Sequence, residues 1–165
     1  MDLGHVEKKI REAEFFLERM RDVETRISPA GEQFDFYLSA HLSAARAIDS
    51  KLDSDHGSSY GPWRRKWNWT NGPADDLLRF FSEDPQAVIH ESGAKRDDTE
   101  AGARANQEGS TVTVTGPPGT FQLVAGSKRD YFFKIDGVEH KVTDTCAEYL
   151  KVLKRMVAEF KAAHA

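Results

Sequence analysis

A short break at residues 28–31 (SPAG) separates two long amphipathic stretches, and this arrangement limits what the chain can fold into. Apolar residues recur every three or four positions in the first stretch: Val6, Ile10, Ala13, Leu17 and Met20. That spacing is typical of a helix with one buried face. It predicts a helix from about Val6 to Ile27, and a second helix from the break to about Leu52. Because the link is short, we expect the two helices to pack as an antiparallel hairpin.

Two further helical patterns complete the predicted bundle. One begins near Pro73 and is interrupted by Pro85, and the other begins near Thr143. The fold class predicted is therefore mainly α, an antiparallel four-helix bundle with a small antiparallel β insertion before the last helix. The leucines expected to share its core are Leu17, Leu38, Leu42, Leu150 and Leu153.

The β insertion is predicted from a change of period. Residues 93–110 are polar and small, which predicts an exposed or mobile loop. Alternation with period two then begins at residues 111–115, and two later strand-like runs flank Asp136 and Gly137, a pair typical of a tight hairpin turn. We predict a single domain over residues 1–165, in which residues 93–142 form a flexible loop plus a β-hairpin insertion.

Composition restricts the classes of function. The 165 residues carry a formal charge of -4, so binding to nucleic acid would need a local basic patch. The only cysteine is Cys146, which rules out a disulfide within the chain. The N-terminal residues have no signal-peptide pattern and no apolar run approaches the roughly 20 residues of a membrane span. We therefore expect a cytoplasmic protein without membrane contact.

The sequence offers little for nucleophilic, phosphate-loop or metal chemistry. Cys146 lies on the apolar face of the last helix, where a thiol is inert. Residues 116–120 (GPPGT) lack the ending of a phosphate loop and read as a turn. Asp53, Asp55 and His56 stand close in sequence but without a partner motif, and His41 reads as a core histidine. No metal site and no cofactor is predicted.

The segment from Trp63 to Trp69 has two readings. It follows a predicted turn over residues 53–59, and we expect it to form a short helix or irregular turn. Its cations Arg64, Arg65 and Lys66 stand between tryptophans, so the rings could stack on bases while the cations meet RNA phosphates. In the other reading, Trp63 and Trp67 anchor the segment in the core.

Three pieces together resemble the HEPN (higher eukaryote and prokaryote nucleotide-binding) family of helical bundles. They are residues 34–46 (FDFYLSAHLSAAR), residues 77–81 (LLRFF) leading to 88–91 (VIHE), and residues 146–150 (CAEYL). The resemblance covers the helices, about two thirds of the chain, and makes the strand-forming stretch an insertion. Active members of the family are metal-independent ribonucleases, usually paired across a dimer. Their site has an arginine, a polar residue directly after it, and a histidine four to six positions beyond that polar residue.

The resemblance points to His90 as the site histidine, but the chain departs from the pattern at the arginine. Counting back from His90, the arginine should fall at Glu83, Asp84 or Pro85, and none of these is basic. Arg79 lies further upstream. A cation in this place would stabilise negative charge growing on the phosphate, whereas a carboxylate would repel it.

We therefore expect a non-catalytic, HEPN-like binding or interaction module of a bacterial-type intracellular protein, with a homodimer through the bundle and an RNA or protein partner as hypotheses. One alternative is a metal-independent endoribonuclease that uses His90 together with Arg79. Another is an RNA-binding module that uses Trp63, Arg64, Arg65, Lys66 and Trp67.

Overall fold

The computed structural model describes residues 2–25, 31–70, 72–83, 96–100, 111–116, 119–124, 129–135 and 138–164. Its helices are α1 (Gly4–Glu24), α2 (Gly31–Thr70), α3 (Gly72–Glu83) and α4 (Val142–Ala163). The prediction of a mainly helical fold is confirmed. Among the described residues, no helix combines the length and the apolar character needed to cross a membrane.

Helices α1 and α2 run antiparallel, as the short break between them predicted. The Nδ1 atom of His41 lies 2.8 Å from the carbonyl oxygen of Ala13. Further along, His56 Nε2 lies 3.1 Å from the carbonyl oxygen of Asp2. The later residue of α2 thus meets the earlier partner, Asp2, which lies just before α1, as an antiparallel pair requires.

Helix α4 packs against both α1 and α2 and supplies much of the core. Ion pairs join Lys154 to Glu14 at 2.6 Å and Lys161 to Glu7 at 3.8 Å, so α4 is antiparallel to α1. The five leucines predicted for the core are all buried. Cys146 is also buried, which confirms its reading as a core residue.

The predicted turn over residues 53–59 becomes a sharp bend at one residue. His56 has non-helical backbone angles (φ -137°, ψ 21°), and helix continues on both sides of it. The Tyr60 hydroxyl donates a hydrogen bond to Asp49 across the bend. In a straight helix these residues would stand about 16 Å apart along the axis. The second half of α2 (residues 57–70) therefore turns back beside the first half.

The strands form two small antiparallel sheets. Strands β1 (Arg96–Glu100), β4 (Arg129–Ile135) and β5 (Val138–Lys141) make one sheet in the order β1-β4-β5. Strands β2 (Thr111–Gly116) and β3 (Gly119–Val124) make the other. Ile135 pairs with Val138, which places the β4–β5 connection at the predicted hairpin turn, whose two residues lie outside the described part of the chain.

One part of the insertion was predicted wrongly. Residues 96–100 were expected in a loop, yet they form β1 and pair with β4, Arg96 opposite Phe133. Strand pairing uses backbone groups, so polar side chains do not exclude it. The sheet also joins the helical core: the Tyr131 ring stacks on Phe34 with centroids 3.8 Å apart, and both rings are buried.

His41 predicts a pH dependence of stability. Burial lowers the pKa of His41 from its ordinary value of 6.5, against the opposing effect of the Ala13 and Cys146 backbone carbonyls. Just below pH 6.5, the imidazole of His41 therefore binds a proton in the unfolded chain but stays neutral in the folded chain. Protonation of the unfolded chain lowers the free energy of unfolding by up to about 1.4 kcal/mol for each pH unit below about 6.5, and has no effect well above that pH.

Urea unfolding of wild type and His41→Asn between about pH 5 and pH 7.5 measures this slope. The asparagine amide can still donate to the Ala13 carbonyl but does not titrate. We expect a flatter profile for the variant. Identical slopes in both proteins would contradict the assignment.

Candidate anion-binding pocket

The tryptophan segment serves first as a structural anchor. Trp67 is only 4% exposed, and its indole Nε1 donates a hydrogen bond of 2.6 Å to Glu159 of α4. The Trp63 ring meets Phe160 edge-on with centroids 5.2 Å apart. A base therefore cannot stack on Trp67 while the core is closed. These contacts confirm the anchoring reading for Trp67 and leave RNA binding to the cations of the segment.

Those cations divide into two groups. Arg65 and Lys66 are exposed on the second half of α2. Arg64 is partly buried, with its guanidinium carbon 5.2 Å from the Trp67 ring centroid. Arg64 also lines a pocket between helices, whereas Arg65 and Lys66 do not.

A pocket of about 420 Å³ opens between α2, α3 and α4. Arg46, Arg64 and Arg79 line it, together with the carboxylate of Asp49. The bend at His56 explains how α2 can contribute both Arg46 and Arg64. In a straight helix, 18 residues would place them about 27 Å apart along the axis.

Arg46 is held in place by the helix that faces it. Its Nε donates a hydrogen bond of 2.9 Å to the backbone carbonyl of Phe81 on α3. Its Nη2 is buried and has no hydrogen-bond partner among the described residues. Burial lowers the pKa of Arg46, and Tyr149 opposes that shift. An arginine nevertheless keeps its charge near neutral pH, so a buried cationic donor remains available.

Asp49 is engaged by neighbours on the second half of α2. It accepts the hydrogen bond of the Tyr60 hydroxyl, and its Oδ1 lies 3.8 Å from Nε of Arg64. Burial, followed by the charge of Asp49, raises the pKa of Tyr60. Tyr60 therefore stays a neutral donor. Among the described residues that line the pocket, Asp49 supplies the one carboxylate beside three guanidiniums.

The remaining lining residues combine polar and apolar groups. Asn68 carries a buried side-chain oxygen without a hydrogen-bond partner among the described residues. Leu78, Leu153 and the ring of Tyr149 form the apolar part of the lining. Three cations beside an apolar wall suit the binding of an organic anion, because arginine forks match the geometry of carboxylate and phosphate oxygens.

Of the two residues in the ribonuclease alternative, Arg79 and His90, the structure describes only Arg79. Arg79 is on α3 and lines the pocket, whereas His90 lies outside the described residues. Cys146 is buried and does not line the pocket, and burial raises the pKa of its thiol. Within the described ranges, no group of three histidine, cysteine or acidic side chains is arranged to hold a metal ion.

Sequence reasoning placed Arg64 and Arg79 among the candidate residues but missed Arg46, Asp49 and Asn68. The sequence did contain a pattern that involves two of these residues, Arg46 and Asp49. Arg46 and Asp49 stand three positions apart, so they share a polar face of a helix whose other face is apolar. Such a face usually points to solvent, and nothing in the local pattern shows that another helix covers it.

Comparison with known proteins identifies no relative of this chain. No family model matches the chain, and neither a curated protein nor a solved structure resembles it significantly.

Proposed function

We propose that this protein is a non-catalytic, HEPN-like four-helix bundle that binds an anionic ligand in the pocket between α2, α3 and α4. The observation that carries the proposal is the set of three arginines, Arg46, Arg64 and Arg79, around one cavity. The HEPN-like assignment rests on the sequence resemblance and agrees with the antiparallel pairing of α1 with α2 and α4. Assembly as a homodimer stays a prediction, which light scattering can test.

The non-catalytic part of the proposal rests on charge and on what the pocket offers. A histidine acting as general acid or base contributes about 10²–10⁴-fold. Stabilisation of the phosphate charge must supply much of the rest, and it needs cations at the reacting atoms. The positions upstream of His90 carry Glu83 and Asp84 instead. The described lining of the pocket includes neither a histidine nor a cysteine that could act as base or nucleophile.

A metal-free ribonuclease assay tests this part. We expect wild-type protein to leave single-stranded RNA uncut above background at low and moderate salt. His90→Ala and Arg79→Ala are the matched variants. Cleavage by wild type that disappears in both variants would establish the endoribonuclease alternative instead.

The second candidate, RNA binding by the tryptophan segment, is favoured by the exposure of Arg65 and Lys66. Cations on a surface bind phosphates in a salt-dependent manner. The double variant Arg65→Ala/Lys66→Ala distinguishes this surface from the pocket, because neither residue lines it. RNA binding that weakens with salt and is lost in the double variant would support this candidate.

A further inference from the structure

We propose that the ligand of the pocket is an organic phosphate monoester, with its phosphate among Arg46, Arg64 and Arg79 and its organic group against Tyr149, Leu78 and Leu153. The inference rests on the proposed function, since it names the ligand class of the same pocket. Three observations carry it: the charged side chains of the lining, two buried polar atoms that have no hydrogen-bond partner in the described part of the chain, and the size and apolar wall of the cavity.

The charge of the described lining suits a doubly negative group. Among the described lining residues, three carry guanidinium groups and one carries a carboxylate, so cationic groups outnumber anionic ones. Asp49 already accepts from Tyr60 and lies beside Arg64, so it is not a free repulsive group. A phosphate monoester carries nearly two negative charges at neutral pH. A carboxylate carries one, and a single arginine fork satisfies both of its oxygens.

Two buried atoms in the lining lack hydrogen-bond partners among the described residues. Nη2 of Arg46 is a donor whose guanidinium is fixed by the bond from its Nε to the Phe81 carbonyl. Oδ1 of Asn68 is the second atom. Rotating the amide of Asn68 by half a turn exchanges this oxygen with the NH₂ group, which then becomes a donor. Buried polar groups normally have partners, and phosphate oxygens would supply them to both side chains.

The size and the apolar wall indicate that the ligand is larger than inorganic phosphate. The cavity of about 420 Å³ lies in the range of sites for small organic molecules. Leu78 and Leu153 are buried, and the Tyr149 ring is fixed by stacking on Phe81 with centroids 4.3 Å apart. A rigid apolar wall beside three cations can hold a phosphate and a ring or alkyl group together.

Isothermal titration calorimetry with three probes tests the assignment: phenyl phosphate, inorganic phosphate and benzoate, each at low salt. We expect phenyl phosphate to bind most tightly, because it alone supplies both the dianion and a ring. Inorganic phosphate should bind more weakly, and benzoate most weakly. Benzoate binding as tightly as phenyl phosphate would overturn the phosphate assignment, as would the absence of phenyl phosphate binding.

Two variants locate the site. Arg79→Ala removes an exposed side chain and should weaken phenyl phosphate binding about 10- to 100-fold, the loss of one charge-assisted contact. Asn68→Asp keeps the size of the side chain but adds a negative charge, and should abolish binding. Arg11→Ala is the control, since Arg11 is exposed on α1 and does not line the pocket. Equal losses in Arg11→Ala and Arg79→Ala would show non-specific attraction and overturn the proposal.

Different experiments test the non-catalytic function and the phosphate ligand, so one can be disproved without the other. RNA cleavage by wild-type protein would remove the non-catalytic function without affecting the calorimetric result. Lack of phenyl phosphate binding would remove the ligand class while the ribonuclease result stands. Melting temperatures of the unliganded variants show whether each is folded, and Arg79→Ala keeps the test decisive if Asn68→Asp does not fold.

Discussion

Replacing Phe160 by alanine is expected to lower the free energy of unfolding by about 3–5 kcal/mol, the range for truncating a buried phenylalanine. Phe160 has no exposed surface and lies where α4 meets the second half of α2. Tyr60 and Trp63 each meet its ring edge-on with centroids 5.2 Å away. The cavity left by the truncation cannot close easily, because large rings that are themselves packed surround it.

A second phenylalanine supplies the control. Phe36 on α2 is 63% exposed, and Phe36→Ala should change stability by no more than about 0.5 kcal/mol. Urea unfolding with an unchanged m-value measures both variants on the same scale. A loss below about 1 kcal/mol for Phe160→Ala would mean that the second half of α2 does not depend on α4.

The thiol of Cys146 is expected to react with a disulfide reagent at least about 10³-fold more slowly in the folded protein than in urea, since a stable fold rarely opens its core. The thiolate is the reacting form. Cys146 is buried, and burial, followed by the charge of Glu24, raises the pKa of its thiol. Both access and ionisation are therefore suppressed until the helix α4 separates from the core.

The measurement is the rate at which Cys146 releases the thiol of the reagent, in native buffer and in denaturing urea. Cys146→Ala is the blank, because the chain has no other cysteine. A destabilised protein such as Phe160→Ala should react faster than wild type, in proportion to its larger population of the opened state. Rapid reaction of native wild-type protein would contradict the burial of Cys146 and the packing of α4.

Local patterns were enough to predict the helices and one hairpin. The apolar spacing of α1 and α4 follows the helical period, and the five core leucines could be named from it before the structure was known. The Asp136–Gly137 pair predicted where two strands would connect, because it is typical of a tight hairpin turn, and the pairing of Ile135 with Val138 agrees with that place. These features depend on neighbours within a few positions, so the sequence carries them directly.

Strand β1 was not predictable in the same way. Residues 96–100 are polar and lack alternation, so nothing local distinguishes them from a loop. Their pairing with β4 uses backbone groups that every residue possesses. Only the presence of β4, with Tyr131 and Phe133 buried against the helices, provides an edge on which β1 can form.

For the candidate site, the sequence by itself determined which charged residues each helix carries and that the chain would break between residues 53 and 59. The tertiary structure alone decided how sharply α2 bends at His56. Arg64 thereby lies close to Asp49, and Arg46 and Arg64 line one pocket with Arg79. The angle of such a bend follows from contacts with residues far along the chain. Tyr60, Trp63 and Trp67 dock on α4 near Phe160, some 90–100 positions away. Helical period is a property of neighbouring residues, whereas a pocket built from three helices depends on packing that no short stretch of sequence contains.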